Sequence, residues 1–173
     1  MTAVSYRTEH DFLGEKQIPD TAYYGVQTLR AVENFNITGI TMAKEPLFIQ
    51  AFGYVKKAAA IANQECGVLD PKIAEAIIYA CDQLIAGKYH DQFLTDLIQG
   101  GAGTSINMNA NEVIANIGLE YMGHKKGEYQ YLRPIFNTSL NSTPFFAKET
   151  MSFSIASMYE SILRYSATLK AVG

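Results

Sequence analysis

The chain has 173 residues, a formal net charge of −3, 48% apolar residues and 18% charged ones. That length can bury a core in one or two domains, and that composition excludes a disordered polymer. The charge gives no electrostatic footing for nucleic acid, and neither a leader-like amino terminus nor a membrane-length apolar run is present, so a cytoplasmic protein without a membrane partner is expected.

Residues 1–21 read as loop and extended structure, with Pro19-Asp20 as a turn signal. Thr21 is placed to cap a short helix over 22–35, and 36–45 look irregular. Glu45-Pro46 opens a helix whose apolar row is Phe48, Phe52, Val55, Ala59 and Ala62, with Gly67 placed to end it. Asp70-Pro71 pairs a cap with a first-turn proline. The buried row that follows is Ile73, Ile77, Cys81 and Leu84, and Gly87 stops it. Cys66 and Cys81 both lie in helical patterns without metal-ligand spacing and read as buried free thiols. Another helix is expected from about Asn109 to Met122, with Val113, Ile117 and Tyr121 on its inner face. Residues 124–142 are polar, broken by Arg133-Pro134, and read as loop.

From Thr143-Pro144 onward, Met151, Ile155, Met158, Ile162, Tyr165 and Leu169 alternate steps of four and three, the seam of a helix bundle or coiled coil. Burying each of these side chains is worth about 1.5–3 kcal/mol, so the row needs a partner surface. The partner is either the preceding helices, another chain, or further bundle helices of which this one is the first.

The stretch richest in chemistry is Gln99-Gly100-Gly101-Ala102-Gly103-Thr104-Ser105-Ile106-Asn107-Met108-Asn109-Ala110-Asn111-Glu112. Glycines let a backbone turn sharply and bring its N–H groups near a ligand, and the amino end of a helix favours anions. A Walker-type phosphate loop needs a lysine that is missing here. Two readings remain: a carboxylate or phosphate cradle, or a plain connector in which Thr104 is a cap. Asn107, Asn109 and Asn111, at every second position, fit local turns and capping.

These residues, together with Phe12-Leu13-Gly14-Glu15, Ala22-Tyr23-Tyr24-Gly25-Val26-Gln27-Thr28-Leu29-Arg30, Val55-Lys56-Lys57-Ala58 and Gly123-His124-Lys125-Lys126-Gly127-Glu128-Tyr129, resemble the aspartase/fumarase superfamily, and within it the aspartases. The likeness is dense from about Arg7 to Leu132 and thins after Arg133. It implies a mainly α fold: a small helical amino-terminal domain, residues 1–142, followed by the opening helix of a central bundle, 143–173, truncated. It further implies the reversible loss of ammonia from L-aspartate to give fumarate, with no metal or organic cofactor, in a homo-oligomer or an assembly with a full-length paralogue. The substrate partner is then a small dicarboxylate.

By the same resemblance Thr104 is a hydroxyl donor to substrate, with Ser105 beside it and Asn107 behind. Ser142 and Thr143 match a carboxylate-binding pair, although Pro144 and Phe145 replace the Asn and Asp that usually follow. The segment Gly-Ser-Ser-x-Met-Pro-x-Lys-x-Asn, which carries the family's base and a substrate lysine, does not occur in this chain. No catalytic residue is therefore assigned, and the isolated chain is expected to be inactive. A non-catalytic assembly or binding module, or a fumarase-like lyase for another dicarboxylate, are the alternatives. His10, His90 and His124 show no metal-ligand spacing and read as surface residues. Lys56-Lys57 reads as a solvated helix edge, and Tyr129-Gln130-Tyr131 either packs beneath the loop or covers core.

Overall fold

The computed structural model describes residues 5–99 and 103–134, all within a compact unit that spans Met1–Phe136. Ser142, Thr143 and the expected helix over 143–173 lie outside the described residues. Mainly helical architecture holds for what is described. The order is strands β1 (Tyr6–Asp11) and β2 (Gly14–Pro19), then helices α1 (Val26–Asn34), α2 (Pro46–Glu65), α3 (Pro71–Ile85) and α4 (Thr104–Tyr121). Among the described residues no helix is long and apolar enough to cross a membrane.

The extended structure expected in the amino-terminal segment is an antiparallel hairpin, with Tyr6 opposite Pro19 and Asp11 opposite Gly14. Its register is pinned by charge: Arg30 on α1 grips Asp11 at 2.8 Å, and Arg7 donates to three backbone carbonyls, Pro19, Ala22 and Tyr24. The first helix starts at Val26, four residues later than expected, because the amide of Ala22 turns back to the carbonyl of Pro19. Thr21 is not its cap. Residues 36–45 include a 3-10 turn at Met42–Lys44.

Helix α2 begins at Pro46 as expected, yet its inner row is Phe48, Ile49, Phe52, Gly53, Lys56 and Ala60. Ala62 is exposed, and Val55 and Ala59 are half-buried. A row stepping strictly by four and three drifts round the helix, so the real contact stripe shifts by a residue. Helix α3 starts as the sequence predicts, with Asp70 accepting from the amides of Lys72 and Ile73. Its Ala74, Ala76, Ile77, Ala80, Cys81 and Leu84 are buried, and it packs on both α2 and α4. Cys81 is sealed in this core, whereas Cys66 is exposed at the end of α2, against the expectation for it.

Helix α4 is the central element. It begins at Thr104, five residues earlier than expected, and every residue from Asn109 to Leu119 is buried. The asparagines are therefore helical, not turns. Asn109 accepts from the Leu94 amide at 3.1 Å and donates to the Gln92 carbonyl at 3.0 Å; Asn116 donates to the Tyr23 carbonyl and accepts from the Gly127 amide, both at 2.8 Å. Buried amides need such partners, and these tie three separate loops to one rod.

Glu112, 1% exposed, does the same for α1. Its carboxylate accepts from the amides of Gly25, Gln27 and Thr28 at 2.8–3.0 Å and from the Thr28 hydroxyl at 2.6 Å. Glu9 takes the remaining first-turn amide, Val26, at 2.9 Å, and also binds Arg7 and the Tyr129 hydroxyl. Burial pushes the Glu112 carboxyl above the usual carboxylate range, against the pull of its four donors. Gly25 has room for no side chain: a Cβ there would lie 2.5 Å from Glu9 Oε2, 2.7 Å from the Tyr129 hydroxyl and 2.8 Å from Glu112 Oε1.

Candidate functional site

The amino end of α4 is built by the segment that leads into it. Residues 93–99 are laced to 37–43: the amides of Met42 and Ala43 donate to the carbonyls of Thr95 and Phe93, and the Leu97 amide to the carbonyl of Ile40. Asp96 locks this lacing. Its carboxylate accepts from the amides of Ile37, Thr38, Gly39 and Ile98 and from the Thr38 hydroxyl, all within 3.1 Å. Burial raises its pKa, but the donors of Ile98, Thr38 and Gly39 win and hold it down at about 2.

The chain then enters α4 through Gly103, whose φ of +80° and ψ of +24° lie in the left-handed region that glycine adopts without strain. Gly100, Gly101 and Ala102 lie outside the described residues. The helix has no side-chain cap at its first position. Gln99 Oε1 accepts from the Ile106 amide at 2.9 Å, so one first-turn donor is used. The amides of Thr104 and Ser105 have no acceptor among the described residues, and neither do their hydroxyls. Thr104 is exposed and Ser105 half-buried. Helix α4 thus opens on a short array of backbone and hydroxyl donors, which suits an oxyanion.

Beneath this end stands Lys56. It is 4% exposed, not a solvated edge, and its ammonium donates to Asn107 Oδ1 at 2.8 Å. Burial brings its pKa down to about 8. Lys57 does match the edge reading: it is half-buried and pairs with Asp82 at 2.7 Å.

The histidines lie apart from this end in sequence and contacts. His10 is exposed on β1, His90 Nε2 lies 2.8 Å from the Leu84 carbonyl, and His124 stacks on Tyr131 with ring centroids 3.8 Å apart. Tyr129 sits in the Glu9–Asn116 cluster under α1, so it braces that helix and not the glycine-rich run. Among the described residues no group of three or more His, Cys, Asp and Glu stands together to hold a metal. Sequence reasoning took Lys56 for a solvated edge and Gln99 only for the head of the glycine-rich run, and it passed over Asp96. Asp96 and Gln99 carry the same local signature as any loop residue, and nothing local separates Lys56 from its half-buried neighbour Lys57.

Residues 14–170 match a family model described as Lyase. The chain belongs to this lyase family. Its relatives agree with the resemblance carried by the motifs. It is 52% identical over 166 residues to the aspartate ammonia-lyase of Helicobacter pylori (strain J99 / ATCC 700824), covering 96% of this chain and 35% of that protein. With the aspartate ammonia-lyase of Bacillus subtilis (strain 168) the identity is 59% over 136 residues, 79% of this chain and 28% of the other. Among solved structures, a fumarate lyase:delta crystallin from Brucella melitensis in native form aligns with a TM-score of 0.74 and 50% identity, over 75% of this chain and 30% of that one. The class II fumarase of Schistosoma mansoni aligns with a TM-score of 0.64 and 32% identity, over 71% and 26%. This lyase-family chain spans about a third of the length of the curated relatives it matches. The family match runs to residue 170 and the Helicobacter pylori alignment covers 166 residues, whereas the Bacillus subtilis alignment covers 136.

Proposed function

We propose that the chain supplies the carboxylate-gripping wall of an aspartate ammonia-lyase, the reversible elimination of ammonia from L-aspartate to fumarate. In this reading residues 1–142 form the amino-terminal domain and 143–173 open the bundle. Thr104 and Ser105 hold a substrate carboxylate; Ser142 and Thr143, the second carboxylate-binding pair implied by the resemblance, lie outside the described residues. Elimination places a proton-abstracting base beside the carbon next to that carboxylate, and the doubly charged carboxylate that forms needs preorganised donors. Other parts of the assembly supply the base. One observation carries the reading: a helix buried along most of its length begins on a left-handed glycine with an exposed threonine and with first-turn donors that have no acceptor among the described residues. The names of the relatives supply the substrate.

The test follows fumarate absorbance with L-aspartate and the purified chain, alongside binding of succinate as an unreactive dicarboxylate. The expected result is no turnover, with succinate binding that is lost in Thr104→Ala. Steady turnover by the chain alone, or succinate binding indifferent to Thr104→Ala, overturns it.

Assembly with further chains, either copies of this one or a full-length paralogue, fits the same surface. Ile37, Ile40 and Ile98, on the two laced segments next to the glycine-rich run, are 59%, 48% and 52% exposed. Grouped exposed apolar side chains of this kind mark contact surfaces. Light scattering on the purified chain reads the oligomer directly, and a monodisperse monomer removes the homo-oligomer from the proposal.

A further inference from the structure

A buried ammonium without a carboxylate is costly, and Lys56 is one. Among the described residues its one hydrogen-bond partner is Asn107 Oδ1. The groups facing it are Cys81 on α3, a thiol that burial pushes up to about 12, and Asn107 on α4; nearby Lys57 is engaged with Asp82, and the Glu112 carboxylate is turned to α1. An ammonium can only donate, so the amide oxygen of Asn107 must face it and the amide NH2 must face away. That NH2 has no acceptor among the described residues, and Asn107 is half-buried. Asn107 lies three residues beyond Thr104 and therefore on the same face of α4, one turn further in.

We propose that Lys56 is a positioning residue: by holding the oxygen of Asn107 it aims the Asn107 NH2 as a further donor to the carboxylate gripped at Thr104 and Ser105. This rests on the cradle reading above. Without the ammonium the amide is free to flip, and its oxygen would then repel a carboxylate. The arrangement also makes the cradle sensitive to the charge on Lys56, whose ionisation at about pH 8 falls within reach of a mildly alkaline medium.

The first experiment needs no ligand. In the ¹⁵N-labelled chain, the side-chain NH2 signals of Asn107 are followed from about pH 6 to about pH 10. They should move with a midpoint near 8 that is absent in Lys56→Met. A flat profile, or an unchanged midpoint in Lys56→Met, overturns the proposal. The second titrates succinate into wild type, Thr104→Ala, Lys56→Met and Asn107→Leu, each checked for a native amide spectrum. Loss of one hydrogen bond to a charged group should weaken binding about tenfold in both Lys56→Met and Asn107→Leu. Lys56→Arg, which keeps a donor-only cation, should retain most of the affinity. A Thr104-dependent site that ignores Asn107→Leu overturns this proposal alone; a wild-type chain that binds no succinate overturns it together with the cradle.

Discussion

The amino ends of α1 and α4 present the same chemistry and meet opposite fates. At α1 all four leading amides, Gly25 to Thr28, are consumed by two of the chain's own carboxylates, Glu112 and Glu9. At α4 the described residues offer only the Gln99 side chain, to one amide. Both ends attract negative charge through their unpaired N–H groups. The first is closed with internal acids and becomes structure. The second, among the described residues, carries only that one side-chain acceptor beside an exposed threonine, and it is the end we propose as a binding surface. The lesson is that a helix terminus is read by what already fills it, not by its dipole.

The comparison breaks hardest at Glu112. Glu112→Ala leaves three amides and a hydroxyl buried without an acceptor, and should lower unfolding free energy by about 3–5 kcal/mol, read from urea denaturation. Next comes Gly25→Ala, whose methyl has to displace both carboxylates. About 1–3 kcal/mol is expected, with a matching drop in the denaturation midpoint. Stability equal to wild type in either variant would mean that the α1 end is not closed as described.

The open end is tested more gently. Asp96 braces the approach to α4 and has its pKa depressed from 3.8 to about 2. As pH falls the unfolded chain takes up this proton first, so the stabilisation is complete above about pH 4 and disappears as pH falls through 2. The stability difference between wild type and Asp96→Asn should therefore shrink across that window, measured by acid titration of both. If the gap persists unchanged at the acid end, the charge on Asp96 is not what holds residues 37–39. Smallest of all is Thr104→Ala at a site that the fold does not need. Its stability should stay within about 0.5 kcal/mol of wild type while succinate binding is lost. A large destabilisation would make Thr104 a cap, the plain reading of its position.

Local signals were legible wherever the partner lies a few residues away. Asp70-Pro71 marks the start of α3 because its cap closes on Lys72 and Ile73. The apolar row of α3 was readable for the same reason: one face meets one core. The row of α2 was read nearly right but shifted, because a buried lysine and a glycine interrupt its apolar code. Extended structure over residues 1–21 was legible, but its pairing into a hairpin was not, because the turn residues, Phe12 and Leu13, are the reverse of the polar pair that marks a tight turn; they stand 109% and 78% exposed. In the candidate site, the glycines, Thr104 and Gln99 were visible as a motif, while the burial of Lys56 and the roles of Gln99 and Asp96 were not.

The sequence by itself determined that the four described helices exist, where α2 and α3 start, that α4 follows a glycine-rich run, and the family to which the chain belongs, since these depend on spacing and on residues adjacent in the chain. Only the tertiary structure decided that the α1 end is filled by Glu112 and Glu9, and that Lys56 is enclosed against Asn107. Those outcomes hang on pairs such as Gly25 with Glu112, 87 residues apart, or Lys56 with Asn107, 51 apart. No local period encodes such a pairing; it exists only once the helices have packed and each buried donor has had to find its acceptor.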